Sequence, residues 1–561
     1  MTFNLLILFS FYFLIIFSVI GYGSFFCKIL FGNNNLNFGF KGLYGLFLLI
    51  VYSSLSHYFI AHSLLHNSLI LIFGLFLFIF LLKSRLNYFS GKILLLIFFI
   101  LFVALLIFKT HDDFPYYHFG YSYYLTQEPL LIGVGRFNHG FRTPSSIFYL
   151  NSLYFLPFIK YYSFYIPTLL FLGFSNFILF SNLYKNIKEK KLDYLFFLNV
   201  LVLIFINIFF YRLQEHGTDR SAQILISILF IEILYLVTYL KNFKKHISNI
   251  FILLGIIISL KAFYVLYLLL FIPLTFIMYK YKKFNLVIYS LKNLYFYAFS
   301  LLLLIVISIY FFNTGCLIYP LSFTCFDSFD WSIGVENTAK MNEHYQLWSK
   351  AGKTPNSNVL DPKNYLINFN WIPNWIDLYF FNKVSDFLLG LFAVNLIVFI
   401  FFFKKNKTKF IFDKKIKNIL TLYFFIFILF VEWFINHPAL RYGGYILIAL
   451  ITFIPISLIL EKNQKKYSNS IFKFKILISI TILVFIMRNF DRINNEIKKY
   501  DYNPIQYSFY YIDKSHFRIQ SNFDYLITNF NNCKINLSTC DKTLRKKVKE
   551  FYPGRYMFVY D

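Results

Sequence analysis

The chain has 561 residues, of which 58% are hydrophobic and only 14% are charged. Its mean hydropathy of +0.60 and its many long apolar runs exclude an ordinary soluble domain and predict a polytopic membrane protein. The formal net charge of +28 does not indicate a nucleic-acid partner, because the lysines and arginines mostly separate apolar runs, as the positive-inside rule requires.

Stretches of roughly 20 apolar residues predict membrane-spanning helices. Basic residues between them place the connecting loops alternately in the cytoplasm and outside. The pattern predicts an all-α protein with about fourteen crossings and both termini outside. The predicted spans cover residues 5–26, 43–61, 69–82, 93–108, 163–183, 195–210, 224–240, 250–279 (crossing twice), 294–312, 387–403, 419–434, 445–460 and 476–487.

The segment 250–279 has two possible arrangements, because it begins and ends at basic residues and has Lys261 near its middle. One long helix would place that lysine in mid-membrane, at a cost of roughly 2.5–3.5 kcal/mol on insertion scales. It would also reverse the sidedness of every later loop. We therefore expect two short tilted spans that meet at an outer turn near Lys261.

An outer loop over residues 109–162 gathers ionisable groups and opens with Asp112 and Asp113. Its aromatic stretches, interrupted by proline, predict short helices along the membrane interface. Ionisable groups at a membrane edge are costly and usually functional, so the loop predicts an active site. The alternative is that the carboxylates cap the following helix. Two adjacent side chains usually point apart, so we expect only one of them to be catalytic.

Basic residues also occur in segments assigned to the outside, against the positive-inside trend. A phosphate or pyrophosphate head group would account for them through charge-assisted hydrogen bonds, and ion pairs with nearby carboxylates are the alternative. These candidate phosphate contacts are Arg136, Arg142, Arg220, Lys261 and Arg441. His118 is a candidate for proton transfer or, alternatively, an interfacial ring bonded to the backbone.

The domain organisation follows from the hydrophilic segments. Residues 1–488 form the predicted transmembrane domain, with a long outer insert over 313–383, and residues 489–561 form a small outer tail. Four of the 5 cysteines lie in these outer segments as two close pairs, which fits two local disulfides in an oxidising compartment. The pairs are Cys316 with Cys325 and Cys533 with Cys540. The sequence has no P-loop and no zinc-type cysteine spacing, so neither ATP-driven transport nor a structural metal is expected.

Three sets of short motifs carry a family resemblance. They are Asp113, Tyr117 and His118 in the pattern D-x-x-x-Y-H; residues 315–320, reading GCLIYP, followed by Asp330-Trp331; and Glu432-Trp433 followed by His437-Pro438 and Arg441-Tyr442. With the order of spans and loops from residue 93 to the tail, they resemble the GT-C superfamily of integral-membrane glycosyltransferases. The nearest resemblance is to uncharacterised bacterial membrane proteins related to the protein O-mannosyltransferases and the aminoarabinose transferase of lipid A.

The resemblance implies transfer of a sugar, with inversion, from a polyprenyl-phosphate-linked donor to a glycan, lipid or protein acceptor. It makes Asp113 the candidate catalytic base, with Asp112 as runner-up and His118 beside them. It makes Lys261 and Arg441 candidate donor-phosphate contacts, with Tyr442 and Glu432 from the same motifs as Arg441. It assigns no cofactor, although metal dependence varies in the superfamily and a divalent cation stays open. The expected location is a bacterial inner membrane, with the active site facing the periplasm.

Two other functions remain as alternatives. A flippase or transporter of lipid-linked sugars should place polar residues near the bilayer midplane and show repeated halves. A polymerase of surface polysaccharide should concentrate arginines in its outer loops. The ionisable residues of this chain gather at outer span ends, so the sequence favours the transferase.

Overall fold

A computed structural model of the protein describes residues 3–32, 36–82, 88–107, 110–354, 357–405, 414–463, 467–500, 503, 546–552 and 555–560. It is about 79% helical. Among the residues described, 12 helices are long and apolar enough to cross a membrane, and two shorter apolar helices, Phe89–Leu105 and Tyr194–Phe209, accompany them. The chain is therefore an all-α polytopic membrane protein, as its hydropathy predicts.

The helices in chain order are α1 (Phe3–Phe31), α2 (Phe38–Ser56), α3 (Leu64–Leu82), α4 (Tyr88–Leu105), α5 (Phe119–Gln127), α6 (Ser146–Leu153), α7 (Ile166–Lys188), α8 (Tyr194–Phe209), α9 (Asp219–Tyr239), α10 (Phe243–Leu260), α11 (Phe271–Lys280), α12 (Phe284–Leu291), α13 (Leu294–Thr314), α14 (Val335–Ser349), α15 (Pro362–Leu366), α16 (Ile372–Trp375), α17 (Ser385–Phe402), α18 (Lys414–Asn436), α19 (Gly444–Lys462) and α20 (Tyr467–Tyr500). Two antiparallel strand pairs join β1 (Lys353–Thr354) to β2 (Ser357–Asn358) and β3 (Lys546–Tyr552) to β4 (Arg555–Tyr560).

Local sequence explains where several of these helices begin and end. The side chain of Asn37 accepts a hydrogen bond from the backbone N–H of Phe40 at 2.9 Å and caps α2. Asp193 caps α8 in the same way through the N–H of Phe196, also at 2.9 Å. α13 ends at Gly315, whose φ of 75° is a left-handed conformation that glycine adopts without strain. Between these end residues, the apolar residues then continue the helix.

The ends of several apolar helices meet in two groups, each joined by its own contacts. At the end that we call the basic end, Lys283 Nζ donates to the carbonyl oxygen of Leu240 at 3.0 Å. Lys415 Nζ lies 2.7 Å from Glu461 Oε1 at the same end. These helix ends are the ones that the positive-inside rule assigns to the cytoplasm.

At the opposite end, which we call the site end, long loops fold over the helices. The backbone N–H of Gly133 donates to the carbonyl of Phe312 at 2.6 Å, and Gln214 Nε2 donates to the carbonyl of Leu105 at 2.8 Å. The insert reaches the same place, where Trp375 Nε1 donates to the carbonyl of Pro438 at 3.2 Å. The loops with the predicted site residues therefore lie together.

The segment that begins with α10 folds back on itself, as predicted. α10 ends at Leu260, Lys261 has an extended backbone, and a 3₁₀ helix over Ala262–Leu270 leads into α11. After α11, Lys283 reaches Leu240 at the end of α9. The start of α10 and the end of α11, which are the two open ends of this hairpin, therefore lie at the basic end. The prediction of two short elements meeting near Lys261 is confirmed.

The short helices of the loop 109–162 are present. All 8 residues of α6 are buried, and α6 contacts α2, α7 and α10. Tyr121 and Tyr149 have exposed fractions of only 1% and 2%. The loop therefore folds inward, and the rings of Tyr121 and Tyr149 face other parts of the protein.

Two predicted boundaries shift for a common reason. The insert 313–383 becomes helical again at Ile372, and a π-helical stretch, Ile376–Val384, continues into α17. α20 extends from Tyr467 to Tyr500, so the predicted boundary at 488 falls inside one helix. In both places polar residues with adequate helix propensity extend a helix beyond its apolar section, and hydropathy does not report that extension.

The described part of the tail also lies at the site end. The backbone N–H of Phe558 in β4 donates to the carbonyl of Ile132 at 2.9 Å. This contact joins the tail to the loop 109–162. Cys533 and Cys540 lie outside the described residues.

Candidate active site

Asp113 lies where the chain leaves α4 and enters a π-helical turn, Phe114–His118. Its Oδ2 is 3.7 Å from Nη1 of Arg441 and 3.7 Å from Nδ1 of His111. Its side chain is 35% exposed, so a substrate can reach the carboxylate. Asp112 is exposed at the surface, whereas Asp113 faces the cation. The geometry thus separates two carboxylates that the sequence alone left as alternatives.

His111 holds the Asp113 turn and is neutral near pH 7. Its Nδ1 accepts the backbone N–H of Asp113 at 3.0 Å, which leaves the proton of a neutral ring on Nε2. Burial lowers the pKa of His111, and the positive charges of Arg441 and Arg220 add to this effect, although Asp113 and Asp219 oppose it.

Arg441 occupies a 3₁₀ turn, Leu440–Tyr442, between α18 and α19. Its Nη2 donates to the hydroxyl of Tyr442 at 2.9 Å, and its Cζ lies 4.1 Å from the ring centroid of Trp348. Burial lowers the pKa of Arg441, but Tyr442, Asp219 and Asp113 outweigh that effect and raise it, so the guanidinium stays charged. Its Nε is buried without a hydrogen-bond partner in the described structure.

A second ion pair lies beside the first. Lys261, in the extended link after α10, contacts the carboxylate of Asp219 at the start of α9. Lys261 Nζ also lies 4.4 Å from the ring centroid of Tyr442. Tyr442 therefore lies beside two cations, Arg441 and Lys261, each of which has its own carboxylate. We call Asp113, Asp219, Lys261, Arg441 and Tyr442 the charged cluster.

His118 lies behind the charged cluster. Its ring centroid is 5.6 Å from that of His111, and its Nε2 is buried without a hydrogen-bond partner in the described structure. Burial lowers the pKa of His118 well below its ordinary value, with further lowering by His111, Lys261 and Arg441. His118 is therefore a buried neutral ring.

Gly217 allows this packing of the two histidines. Its φ is +54°, and an added Cβ would lie 3.2 Å from His118 Cε1 and 3.6 Å from His111 Cδ2. Both the left-handed backbone and the close approach favour glycine at this position.

The insert forms one wall of the site. α14 carries Trp348 onto Arg441, and a disulfide between Cys316 and Cys325 lies under that helix. Thr338 of α14 has its Oγ1 3.7 Å from the sulfur of Cys316 and 3.5 Å from that of Cys325. The bridge thus fixes the base of the wall.

Three other residues predicted to bind the donor, Arg142, Arg220 and Glu432, lie in three different surroundings. Arg142 lines the wall, where its Nη1 donates to the hydroxyl of Tyr319 at 3.5 Å. Arg220 lies close enough for its charge to lower the pKa of His111, and its Nη1 is buried without a hydrogen-bond partner in the described residues. Glu432 lies within α18, where its Oε1 accepts from Asn436 Nδ2 at 3.1 Å.

Arg136 differs from the other predicted cations because its guanidinium bonds to backbone carbonyls of the insert. Its Nε donates to the carbonyl of Trp331 at 2.9 Å, and its Nη2 donates to the carbonyl of Ser332. The structure therefore does not bring Arg136 into the charged cluster, because the insert occupies its guanidinium. The Asp330-Trp331 motif has the matching structural role of receiving this arginine.

Sequence reasoning missed Trp348 and His111 as site residues. Four of the 5 tryptophans fall in the insert, and that concentration was the available signal for Trp348. No pattern identifies His111 as the group that holds the Asp113 turn. Among the described residues, no group of three or more His, Cys, Asp or Glu side chains is arranged to hold a metal ion.

A family model described as a domain of unknown function, DUF8201, matches residues 5–448. The match spans α1 to the beginning of α19 and includes every residue of the charged cluster. No curated protein and no solved structure matches the chain.

Proposed function

The chain belongs to the DUF8201 family, and we propose that it is a membrane glycosyltransferase. It moves a sugar from a polyprenyl-phosphate-linked donor to a hydroxyl of a glycan, lipid or protein acceptor. The observation that carries this proposal is the pairing of a reachable carboxylate, Asp113, with a half-buried cation, Arg441, at one end of a bundle of apolar helices. The bundle gives a lipid-linked donor access from the bilayer.

Asp113 is the proposed general base. The acceptor oxygen forms a bond to the anomeric carbon of the sugar, and its proton passes to Asp113. A positioned carboxylate typically contributes about 10²–10⁴-fold to such a step. His111 supports this role because its Nδ1 holds the backbone of the Asp113 turn at 3.0 Å.

Arg441 and Lys261 are the proposed partners of the leaving group. The bond between the anomeric carbon and the phosphate oxygen breaks, and the phosphate keeps the electron pair and the negative charge. The Arg441–Asp113 distance of 3.7 Å is longer than the roughly 2.7–2.9 Å of a charge-assisted hydrogen bond. A phosphate oxygen can therefore take the place of the carboxylate beside Arg441 and leave Asp113 available as the base.

The site faces the periplasm of a bacterial inner membrane in this proposal. Two observations support that orientation. The lysines at the basic end fit the positive-inside rule for a cytoplasmic face. The Cys316–Cys325 bridge at the opposite end fits an oxidising compartment.

The test compares Asp113→Asn with Asp112→Asn in the full-length protein purified in detergent. The donor is a polyprenyl-phosphate-linked sugar, an extract of the cell envelope supplies acceptor hydroxyls, and mass spectrometry measures the release of polyprenyl phosphate. We expect Asp113→Asn to lower the rate by about 10²-fold or more and Asp112→Asn to change it only a few-fold. Detergent offers no membrane to cross, so a flippase would release no phosphate from the donor.

Asp112→Asn is the control for Asp113→Asn, because each variant loses one carboxylate and the two positions are adjacent. Equal loss in both variants would overturn the assignment of the base to Asp113. No release of polyprenyl phosphate by the folded wild-type protein, across donors of different sugars, would overturn the transferase itself.

A further inference from the structure

An apolar groove runs between α4, α7, α8 and α20, away from the charged cluster. Its empty space is about 710 Å³, including that at its open side. Leu96 and Ile482 line it and are 57% and 37% exposed, so the groove opens sideways toward the bilayer. Its amides, Asn176 and Asn207, bond to each other at 2.7 and 3.0 Å and present little free polarity. The lining suits a hydrocarbon chain.

Arginines stand at the site end of this groove. α20 lines it with Ile478, Thr481, Ile482 and Phe485, and Arg488 and Arg492 continue the same helical face. At 1.5 Å per residue, Arg488 lies about 4.5 Å and Arg492 about 10 Å beyond Phe485 along the helix axis. The apolar face of α20 thus leads directly to cations.

Tyr211, in the loop after α8, lies close to three arginine side chains. The ring centroid of Tyr211 is 3.7 Å from Cζ of Arg488, 5.6 Å from Cζ of Arg212 and 6.0 Å from Cζ of Arg492. Burial raises the pKa of Tyr211, but the three guanidinium groups outweigh it and lower the pKa overall. We call Arg212, Arg488 and Arg492 the arginine cluster.

Nearby carboxylates neutralise only part of the arginine cluster. Glu215 lies 3.4 Å from Arg212 and 2.6 Å from Arg492, and Glu496 also acts on Arg492. Three cations therefore face two carboxylates. Arg492 is only 12% exposed, and its Nη1 is buried without a hydrogen-bond partner in the described structure. Arg488 is exposed and, in the contacts described, spends one donor on the carbonyl of Ile208 at 2.8 Å.

We propose that the groove and the arginine cluster together bind an anionic phospholipid of the surrounding bilayer. One acyl chain lies in the groove, and the phosphate contacts Arg488 and the free donor of Arg492. Charge complementarity selects an anionic head group, and the sideways opening selects a lipid from the bilayer. This site is separate from the charged cluster and does not depend on the proposed transferase activity.

The loop after α8 lies between this lipid site and the charged cluster. Gln214 lies in that loop, and its carbonyl accepts the backbone N–H of His111 at 3.3 Å. Arg212 and Glu215 flank Gln214 and belong to the lipid site or its ion pairs. One loop therefore contacts both the lipid site and the turn that carries Asp113.

The test measures lipid retention by native mass spectrometry of the full-length protein in neutral detergent. Phosphatidylglycerol and phosphatidylcholine with identical acyl chains are the probes. We expect the wild type to retain phosphatidylglycerol preferentially and Arg488→Gln to weaken that retention by about tenfold, with a smaller effect on phosphatidylcholine, whose choline group offsets the phosphate charge. Ile482→Trp, which fills the groove, should weaken retention of both lipids. Lys475→Gln, an exposed charge at the other end of α20, is the matched control and should change neither.

Four outcomes would overturn the proposal. Equal retention of the two lipids by the wild type would remove the head-group selectivity. Unchanged retention in Arg488→Gln or in Ile482→Trp would remove the arginine cluster or the groove from the site. Competition by inorganic phosphate as strong as that by the lipid would indicate a free-anion site. Binding of undecaprenyl phosphate through Arg488 in preference to phosphatidylglycerol would assign the groove to a different lipid.

Discussion

The basic end and the site end of this protein both carry cations, but they use them differently. At the basic end Lys283 and Lys415 bond to a carbonyl and a carboxylate at the ends of neighbouring helices. At the site end Arg441 and Lys261 both approach one aromatic ring, Tyr442, and each also lies beside a carboxylate. Convergence of two ion pairs on one ring, rather than the number of charges, therefore distinguishes a candidate site from a topology signal.

The largest expected effect comes from removing one cation at each end. Arg441→Gln should lower the rate of polyprenyl phosphate release about a hundredfold, because the leaving group loses its charge partner. Lys415→Gln removes a lysine paired with Glu461 at the basic end and should change the rate less than threefold. The measurement is the rate per folded protein, with gel filtration as the check on folding. A similar loss of rate in both variants would show that the cations of the two ends do not differ in function.

A smaller effect should follow from the aromatic wall. Trp348→Ala removes the ring that lies 4.1 Å from Arg441 and should raise the KM for the donor by roughly 2–30-fold, the range expected from a cation–π contact of about 0.5–2 kcal/mol. Phe323→Ala, in the same insert but 83% exposed, is the control and should leave KM unchanged. A change in kcat alone, with KM preserved, would contradict a role for Trp348 in holding the cation.

The smallest effect concerns acid stability at the site end. Burial lowers the pKa of His216 to about 3, against about 6.5 in an unfolded chain. Below pH 6.5 the unfolded state binds a proton that the folded state refuses, so stability falls as the pH drops, by up to about 1.36 kcal/mol per unit toward pH 3. His216→Gln should reduce that pH dependence of the thermal unfolding midpoint between pH 7.5 and 5.0. An unchanged pH dependence would contradict the burial of a neutral imidazole there.

The helical framework was predictable because its signals are local. Apolar runs and the lysines beside them determine which segments are helices and where they turn, and even the hairpin at Lys261 followed from charge alone. Helix ends were less predictable. α20 continues past its apolar section to Tyr500, where charged residues extend the helix without any change in hydropathy to mark it.

The candidate site was predictable in some of its residues but not in its pairings. Asp113, Lys261 and Arg441 stood out because charge at these span ends is unusual. Which of them meet depends on long-range packing that no local pattern encodes. Arg136 and Arg142 illustrate the limit, because both look alike in sequence, yet one reaches the wall of the site and the other binds backbone carbonyls of the insert.

The contact between β4 and Ile132 has a consequence for biosynthesis. Asp113 and its loop leave the ribosome long before Arg441 is translated, and β4 follows later still. The loop that carries Asp113 is therefore made first, and it has neither Arg441 nor β4 beside it while the remaining helices insert. Since domains fold from the N-terminus during synthesis, assembly of the charged cluster is a late event, and a nascent chain truncated at the end of α18 holds Asp113 but not its counter-charge.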